Sequence, residues 1–234
     1  MALILNIETA TDICSVALAQ DGEVLSLQES REAKSHAGIL TTLIFRCFDA
    51  AKFQLSDMDA VAVSKGPGSF TGLRIGVATA KGLCYSLDKP LISVNTLQSM
   101  AAAFMLKNPA AKEVTLCPMI DARRMEVYMA LFNTNLEFTR ETSATVLDAE
   151  VLNSLINRHN IAFFGDGMDK CRRLLGNNNY VSYHDQVLPT ALGMVGFSEN
   201  SYKTEKYESV AYFEPYYLKD FFTTAQPLKP PIRP

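Results

Sequence analysis

The chain has 234 residues, 48% of them hydrophobic and 20% charged, and its 22 Lys and Arg against 25 Asp and Glu leave a net charge of −3. That length holds one large domain or two small ones, and the slightly acidic balance excludes a protein that binds nucleic acid through bulk positive charge. The five cysteines, Cys14, Cys47, Cys84, Cys117 and Cys171, are odd in number and never form a Cys-x-x-Cys pair, which suits core residues in a reducing compartment rather than disulfides or a zinc site.

No apolar run approaches the roughly 18 residues of a membrane-spanning helix. The N-terminus reaches Glu8 without a basic stretch, so it does not read as a signal peptide. A cytoplasmic location is the expectation.

In chain order, Ala2 to Ile7 is a continuous apolar run, the mark of a buried strand. A turn over Thr9 to Asp12 leads to a second strand, Cys14 to Ala19. Asp21-Gly22 is a hairpin signal, and Val24 to Ser30 gives a third strand. From His36 to Lys52 the period becomes helical, with Leu40, Leu43, Ile44, Cys47 and Ala51 on one face and Ile39 and Phe48 widening the stripe. A strand over Asp59 to Ser64, a glycine-rich turn, a helix from Phe70 to Leu87, a strand from Leu91 to Asn95 and a helix from Thr96 to Leu106 follow. An antiparallel meander running into helix-linked parallel strands is the ribonuclease H-like topology of the actin-like ATPase superfamily.

The polar, proline-containing stretch Lys107 to Glu113 is the expected domain boundary. Strands over Val114–Asp121, Glu126–Asn133 and Phe138–Val146 then repeat the meander. A helix near Ala149–Arg158, a strand Ile161–Phe164, a short helix after Gly167, a strand Tyr180–Tyr183 and a helix Thr190–Tyr202 complete it. The fold class is therefore α/β, with two ribonuclease H-like domains of mixed sheets, the second trimmed. The expected division is 1–107, then 108–226, whose helix near 190–203 could pack back on the first domain, then an extended proline-rich tail, 227–234.

The most distinctive stretch is Lys65-Gly-Pro-Gly-Ser-Phe-Thr-Gly-Leu-Arg-Ile-Gly76. Its glycines and proline suit a tight strand-to-helix reversal, and Ser69 or Thr71 can cap the helix. Gly72, Gly76, Ala80 and Cys84 fall four apart and make one nearly smooth helix face. Two glycines inside a helix cost about 2 kcal/mol relative to alanine, so close approach of another helix is expected to offset them. Neither the Walker phosphate loop nor the dinucleotide fingerprint fits: Gly66, Gly68 and Gly72 are spaced one residue too long, and the next strand ends in Asn95 rather than an acid.

Other chemistry is sparse. Glu8, Asp12 and Asp121 lie near strand ends where nucleases of this fold keep carboxylates, but Lys65 stands where a further acid is needed. His36, His159 and His184 share no ligand spacing, and His36 reads as a capping or surface residue at a helix start. Asp121, Gly165 and Gly167 are weak candidates for a nucleotide site, since the Asp121-Ala-Arg-Arg124 turn lacks the glycines that let backbone N–H groups reach phosphate. Lys170-Cys-Arg-Arg173 reads as a solvated basic face, with a minor RNA contact there or at Arg123-Arg124 as the alternative. No catalytic, metal or cofactor site is expected.

Taken in order, Ile4-Leu-Asn-Ile-Glu-Thr-Ala, the Gly66–Gly76 motif, Ile120-Asp-Ala-Arg-Arg-Met-Glu-Val-Tyr128 and Glu214-Pro-Tyr-Tyr-Leu218 resemble the TsaB (YeaZ) family along essentially the whole chain. The resemblance implies a non-catalytic paralogue of TsaD that supports synthesis of threonylcarbamoyladenosine at position 37 of tRNA. TsaD-type proteins carry two metal-binding histidines where this chain has Thr96 and Met100, and an acid where it has Gln98. The implied partners are a TsaD homologue as heterodimer, a TsaE homologue through the complex, a second copy when alone, and tRNA only indirectly, with no membrane. The implied interface is the helix pair, with Leu40, Leu43, Ile44, Cys47, Gly72, Arg74, Gly76, Val77, Ala78, Ala80 and Lys81 as its candidates. The alternatives are an ATP-dependent phosphotransferase or metallopeptidase of the same fold, or a self-associating scaffold.

Overall fold

A computed structural model describes residues 1–32, 36–156, 160–176 and 178–219. His159, the Lys34-Ser35 pair, the end of the helix expected to reach Arg158 and the tail after Pro227 lie outside the described residues.

Three strands, β1 (Leu3–Glu8), β2 (Cys14–Gln20) and β3 (Glu23–Ser30), form the antiparallel meander. Asp21 and Gly22 both take positive φ between β2 and β3, as a two-residue hairpin requires. Helix α1 (His36–Ala51) leads to β4 (Ala60–Gly66), α2 (Phe70–Leu87), β5 (Leu91–Asn95) and α3 (Thr96–Lys107). The first sheet has the order β3-β2-β1-β4-β5, with β4 parallel to β1 and β5 parallel to β4. The second repeats it: β6 (Thr115–Asp121), β7 (Glu126–Phe132) and β8 (Phe138–Val146) form a meander, and β9 (Ile161–Phe164) and β10 (Val181–His184) add parallel strands in the order β10-β9-β6-β7-β8. Its helices α4 (Ala149–Ile156) and α5 (Met168–Leu175) have 8 residues each, against 16 and 18 in α1 and α2. The trimming of the second domain lies there.

The helix expected over Thr190–Tyr202 divides into a 3-10 turn, Ala191–Met194, and α6 (Val195–Lys203). In the 3-10 turn a Cβ at Gly193 would overlap the carbonyl oxygen of Ser99 on α3. The two lobes also share helices. Leu97, Met100, Ala101 and Phe104 of α3 pack with Leu116, Ile120, Phe132 and Phe164 of the second sheet. Met194 packs with Ile4, Ala62, Ile92 and Val94 of the first sheet, and Ala191 and Val195 with Ala17 and Ala19. The loop after α3 is a boundary in sequence, while the apolar side chains of α3 belong to the second core.

The glycine end of the smooth face of α2 does not receive another helix. It lies on the turn after β1: a Cβ at Gly68 would overlap the Ala10 carbonyl, one at Gly72 the Thr9 carbonyl, and one at Gly76 the Thr9 hydroxyl. Ser69 is the cap, its Oγ accepting the Gly72 N–H at 3.2 Å, and its own N–H donates to the Ala10 carbonyl at 2.6 Å. Gly82, on the opposite face, has nothing within 4 Å of a built Cβ. Gly72→Ala is therefore expected to destabilise the chain by about 2 kcal/mol through overpacking, and Gly82→Ala to stabilise it by about 1 kcal/mol through helix propensity. Urea unfolding of the two variants checks both signs.

Candidate functional site

At the ends of β1, β4 and β5, polar side chains are enclosed rather than presented. Asn6, Glu8, Thr9, Ser15, Ser64, Thr96 and Ser99 are all buried. One Glu8 oxygen accepts the Ala10 N–H at 2.7 Å, and its Oε2 has no hydrogen-bond partner. Burial pushes the Glu8 carboxyl up to about 7, against the pull of that N–H and of the Ser64 and Ser99 hydroxyls beside it. Asn6 Oδ1, Thr9 Oγ1 and Thr96 Oγ1 are likewise without partners among the described residues. Met100 is wholly buried, and its methyl group would meet a Cβ at Gly165 at 2.6 Å.

The weak nucleotide candidates have structural work. Gly165 takes φ +97° with its α-carbon against the Met119 carbonyl, and a Cβ at Gly167 would press on Val127 at 2.9 Å. Asp121 Oδ1 accepts the Arg123 N–H at 2.5 Å and the Lys170 ammonium at 2.8 Å. Partial burial works against the Asp121 charge, but these donors and the nearby Arg173 outweigh it and hold the carboxyl below its usual range. Asp166 Oδ1 accepts the Asp121 N–H at 2.8 Å. Burial first, then the neighbouring charges of Asp121 and Asp12, push Asp166 up.

Two readings need correction. Lys170 is not on a solvated face: it is 6% exposed and donates to Asp121 and to the Glu126 carbonyl at 2.8 Å, while Arg172 pairs with Asp169 and Asp185. His36 is not a surface cap. It is buried, with Nε2 2.8 Å from the Thr11 carbonyl oxygen.

The helix pair divides its residues by face. Leu40, Leu43, Ile44 and Cys47 of α1 and Val77, Ala80 and Cys84 of α2 are buried in the core of the first lobe, and Gly72 and Gly76 face β1's turn. Arg74 and Lys81 are engaged by the C-terminal segment. Arg74 Nε donates to the Tyr217 hydroxyl at 3.1 Å with its guanidinium 4.1 Å above the Phe70 ring, and Lys81 donates to the Ala211 and Phe213 carbonyls, each at 3.1 Å. Tyr216 N–H donates to the Lys65 carbonyl at 2.7 Å, and Glu208 N–H to Leu91 at 2.8 Å. At its end Lys219 reaches the Ala122 carbonyl and the Glu126 carboxylate of the second lobe. Residues 208–219 are thus a strap from one lobe to the other.

What α1 and α2 leave outward is different. Phe45 is 56% exposed and Tyr85 86% exposed, and Gly38, Thr41, Ala78 and Gly82 are exposed with them. Sequence reasoning missed Phe45 and Tyr85. The available signal was that Phe45 falls outside the stripe of Leu40, Leu43, Ile44 and Cys47.

Residues 27–221 match the family model described as "TsaD: tRNA N6-adenosine threonylcarbamoyltransferase". The tRNA threonylcarbamoyladenosine biosynthesis protein TsaB of Escherichia coli (strain K12) is 32% identical, covering 93% of this chain and 94% of that protein. The tRNA N6-adenosine threonylcarbamoyltransferase of Thermosipho africanus is 28% identical, over 74% of this chain and 52% of that protein. The solved structure of YeaZ from Pseudomonas aeruginosa superimposes with a TM-score of 0.78 at 26% identity, covering 93% of this chain and all of that one.

The Glu8 environment makes a prediction about pH. The folded chain holds this proton more tightly than the unfolded chain, so stability falls as pH rises from about 4.5 to about 7 and then levels, with a span of roughly 3 kcal/mol. Asp166 acts in the same direction, so the difference between parent and Glu8→Gln isolates Glu8. In denaturant titrations from pH 4.5 to 8 the Gln variant is expected to gain on the parent as pH rises.

Proposed function

We propose, for a chain that belongs to the TsaB family of tRNA threonylcarbamoyladenosine biosynthesis proteins, that it is a non-catalytic subunit that docks on and supports the TsaD-type transferase. The observation that carries this reading is the fate of the positions where the resemblance to TsaD places metal ligands. Thr96 and Met100 are 0% exposed, a hydroxyl and a thioether packed between the lobes, and Gln98 donates to the Leu136 carbonyl at 3.2 Å. These groups do not fit a hard or borderline metal. With that position given over to packing, function falls to the exterior.

The docking surface we infer is the outer face of α1 and α2. Phe45 and Tyr85 offer aromatic area, and Gly38, Ala78 and Gly82 let a partner's backbone approach closely. Exposed aromatic anchors amid small residues suit a helix-on-helix interface. The strap ties down Arg74 and Lys81 and so fixes one edge of this surface. In this reading tRNA and a TsaE homologue join through the assembled complex, a second copy covers the same face when the transferase is absent, and the chain works in the cytoplasm.

Phe45→Glu and Ala78→Glu, both at exposed positions, are expected to leave the melting temperature unchanged. Each should weaken the complex with the transferase of the same organism at least tenfold by size-exclusion chromatography with light scattering. Threonylcarbamoyl transfer to tRNA should fall with complex formation. Turnover by this chain alone would instead favour an enzyme of the same fold.

A further inference from the structure

The turn between β6 and β7 places two bulky side chains where the backbone favours glycine or asparagine. Arg123 and Arg124 are consecutive residues with φ +70° and +49°, a left-handed conformation that glycine or asparagine adopts at little cost and an arginine does not. Positions at positive φ favour glycine and asparagine. Both arginines are exposed, and neither guanidinium has an ion pair or hydrogen bond among the described residues.

Everything around them holds the turn still. Asp121 accepts the Arg123 N–H at 2.5 Å, Glu126 N–H donates to the Arg123 carbonyl at 3.1 Å, Ala122 N–H donates to the Glu126 carbonyl at 3.1 Å, and Leu147 N–H donates to the Met125 carbonyl at 2.7 Å. The flanking acids are also neutralised in place. Asp121 is paired by Lys170 and Glu126 by Lys219, while Asp166 is turned inward onto the Asp121 N–H. Two guanidiniums therefore project from a hydrogen-bonded hairpin whose own carboxylates are paired, on a chain whose net charge is −3.

We infer that the Arg123–Arg124 hairpin is a contact for the sugar–phosphate backbone of RNA, an assignment that rests on the tRNA-modification reading above. A guanidinium stays charged at any working pH and matches a phosphate with two parallel N–H donors. Two such contacts position a nucleic acid without reading its bases, and they remain compatible with an acidic chain that binds no RNA through bulk charge.

The test uses a fluorescently labelled, unmodified tRNA transcript, titrated in salt series with this chain alone and with this chain mixed with its transferase. The key variant is Arg123→Asn with Arg124→Gly, which puts residues that tolerate positive φ at both positions while removing both charges. Its melting temperature should equal or exceed the parent's, and its complex with the transferase should form normally. Its RNA affinity should fall about tenfold or more at moderate salt, with the slope of log K against log salt shallower by about 1 to 2. Arg123→Lys with Arg124→Lys should keep most of the slope. Unchanged RNA affinity and slope in the Asn-Gly variant, or no RNA binding by the parent in either sample, overturns the inference. So does loss of transferase binding with RNA binding intact, which would assign the arginines to a protein's carboxylates. Complex formation is read separately, so failure of the docking reading shows as an absent heteromeric peak whatever the RNA titration gives.

Discussion

The contact on which the structure depends is backbone against backbone: α2 lies on the turn that follows β1. Gly68, Gly72 and Gly76 bring the helix onto Thr9 and Ala10 so closely that a single methyl group at any of them would overlap a main-chain or hydroxyl oxygen. That approach fixes the helix axis relative to the first sheet, and the Ser69 N–H bond to the Ala10 carbonyl ties the two segments together. Once α2 is seated, its four-residue spacing decides the rest. Val77, Ala80 and Cys84 enter the core with α1, and Ala78, Gly82 and Tyr85 turn outward. The inner glycines set the position of the outer surface.

A second constraint joins the lobes. The last helix of each half packs on the other half's sheet, α3 on the second and α6 with its preceding 3-10 turn on the first, and α3 meets that turn where Gly193 abuts Ser99. The polar residues at the ends of β1, β4 and β5 are sealed beneath this junction. An unpartnered Glu8 oxygen in such a place is costly unless the carboxyl is neutral, and burial drives it that way. The strap then crosses outside, from Leu91 and Lys65 to Glu126. Relative movement of the lobes would strain both the exchanged helices and the strap.

Most of the fold was legible in the sequence because its signals are periodic and local. The meander, the Asp21–Gly22 hairpin, the long helices of the first half and the restart after Glu113 all show as changes of period or as turn residues. Boundaries shifted by a residue or two, as at β10. What was not legible is which way a helix faces when both faces carry small residues. Gly72, Gly76 and Ala80 look outward-competent in composition, as do Ala78 and Gly82; the choice is made by Thr9, some 60 residues earlier in the chain. Lys170 failed for the same reason. Three basic residues in four read as surface, and only the fold brings Asp121 and the Glu126 carbonyl to the first of them. The strap has no period at all, because its bonds run between side chains and backbone carbonyls far apart in sequence.

These features bear on what the start of α3 contributes to the frame. Thr96 and Met100 occupy the start of the exchanged helix, and both are spent on the junction between lobes. A metal ligand there would need an open, polar pocket and a neighbour free to move. A methionine against Gly165 and the second sheet instead closes that space and adds apolar contact. Met100 thus tightens the frame. In a body held by exchanged helices and a strap, surface features keep a fixed spacing. The outer face of α1 and α2 and the Arg123–Arg124 hairpin then belong to one frame, tied by the exchanged helices and the strap.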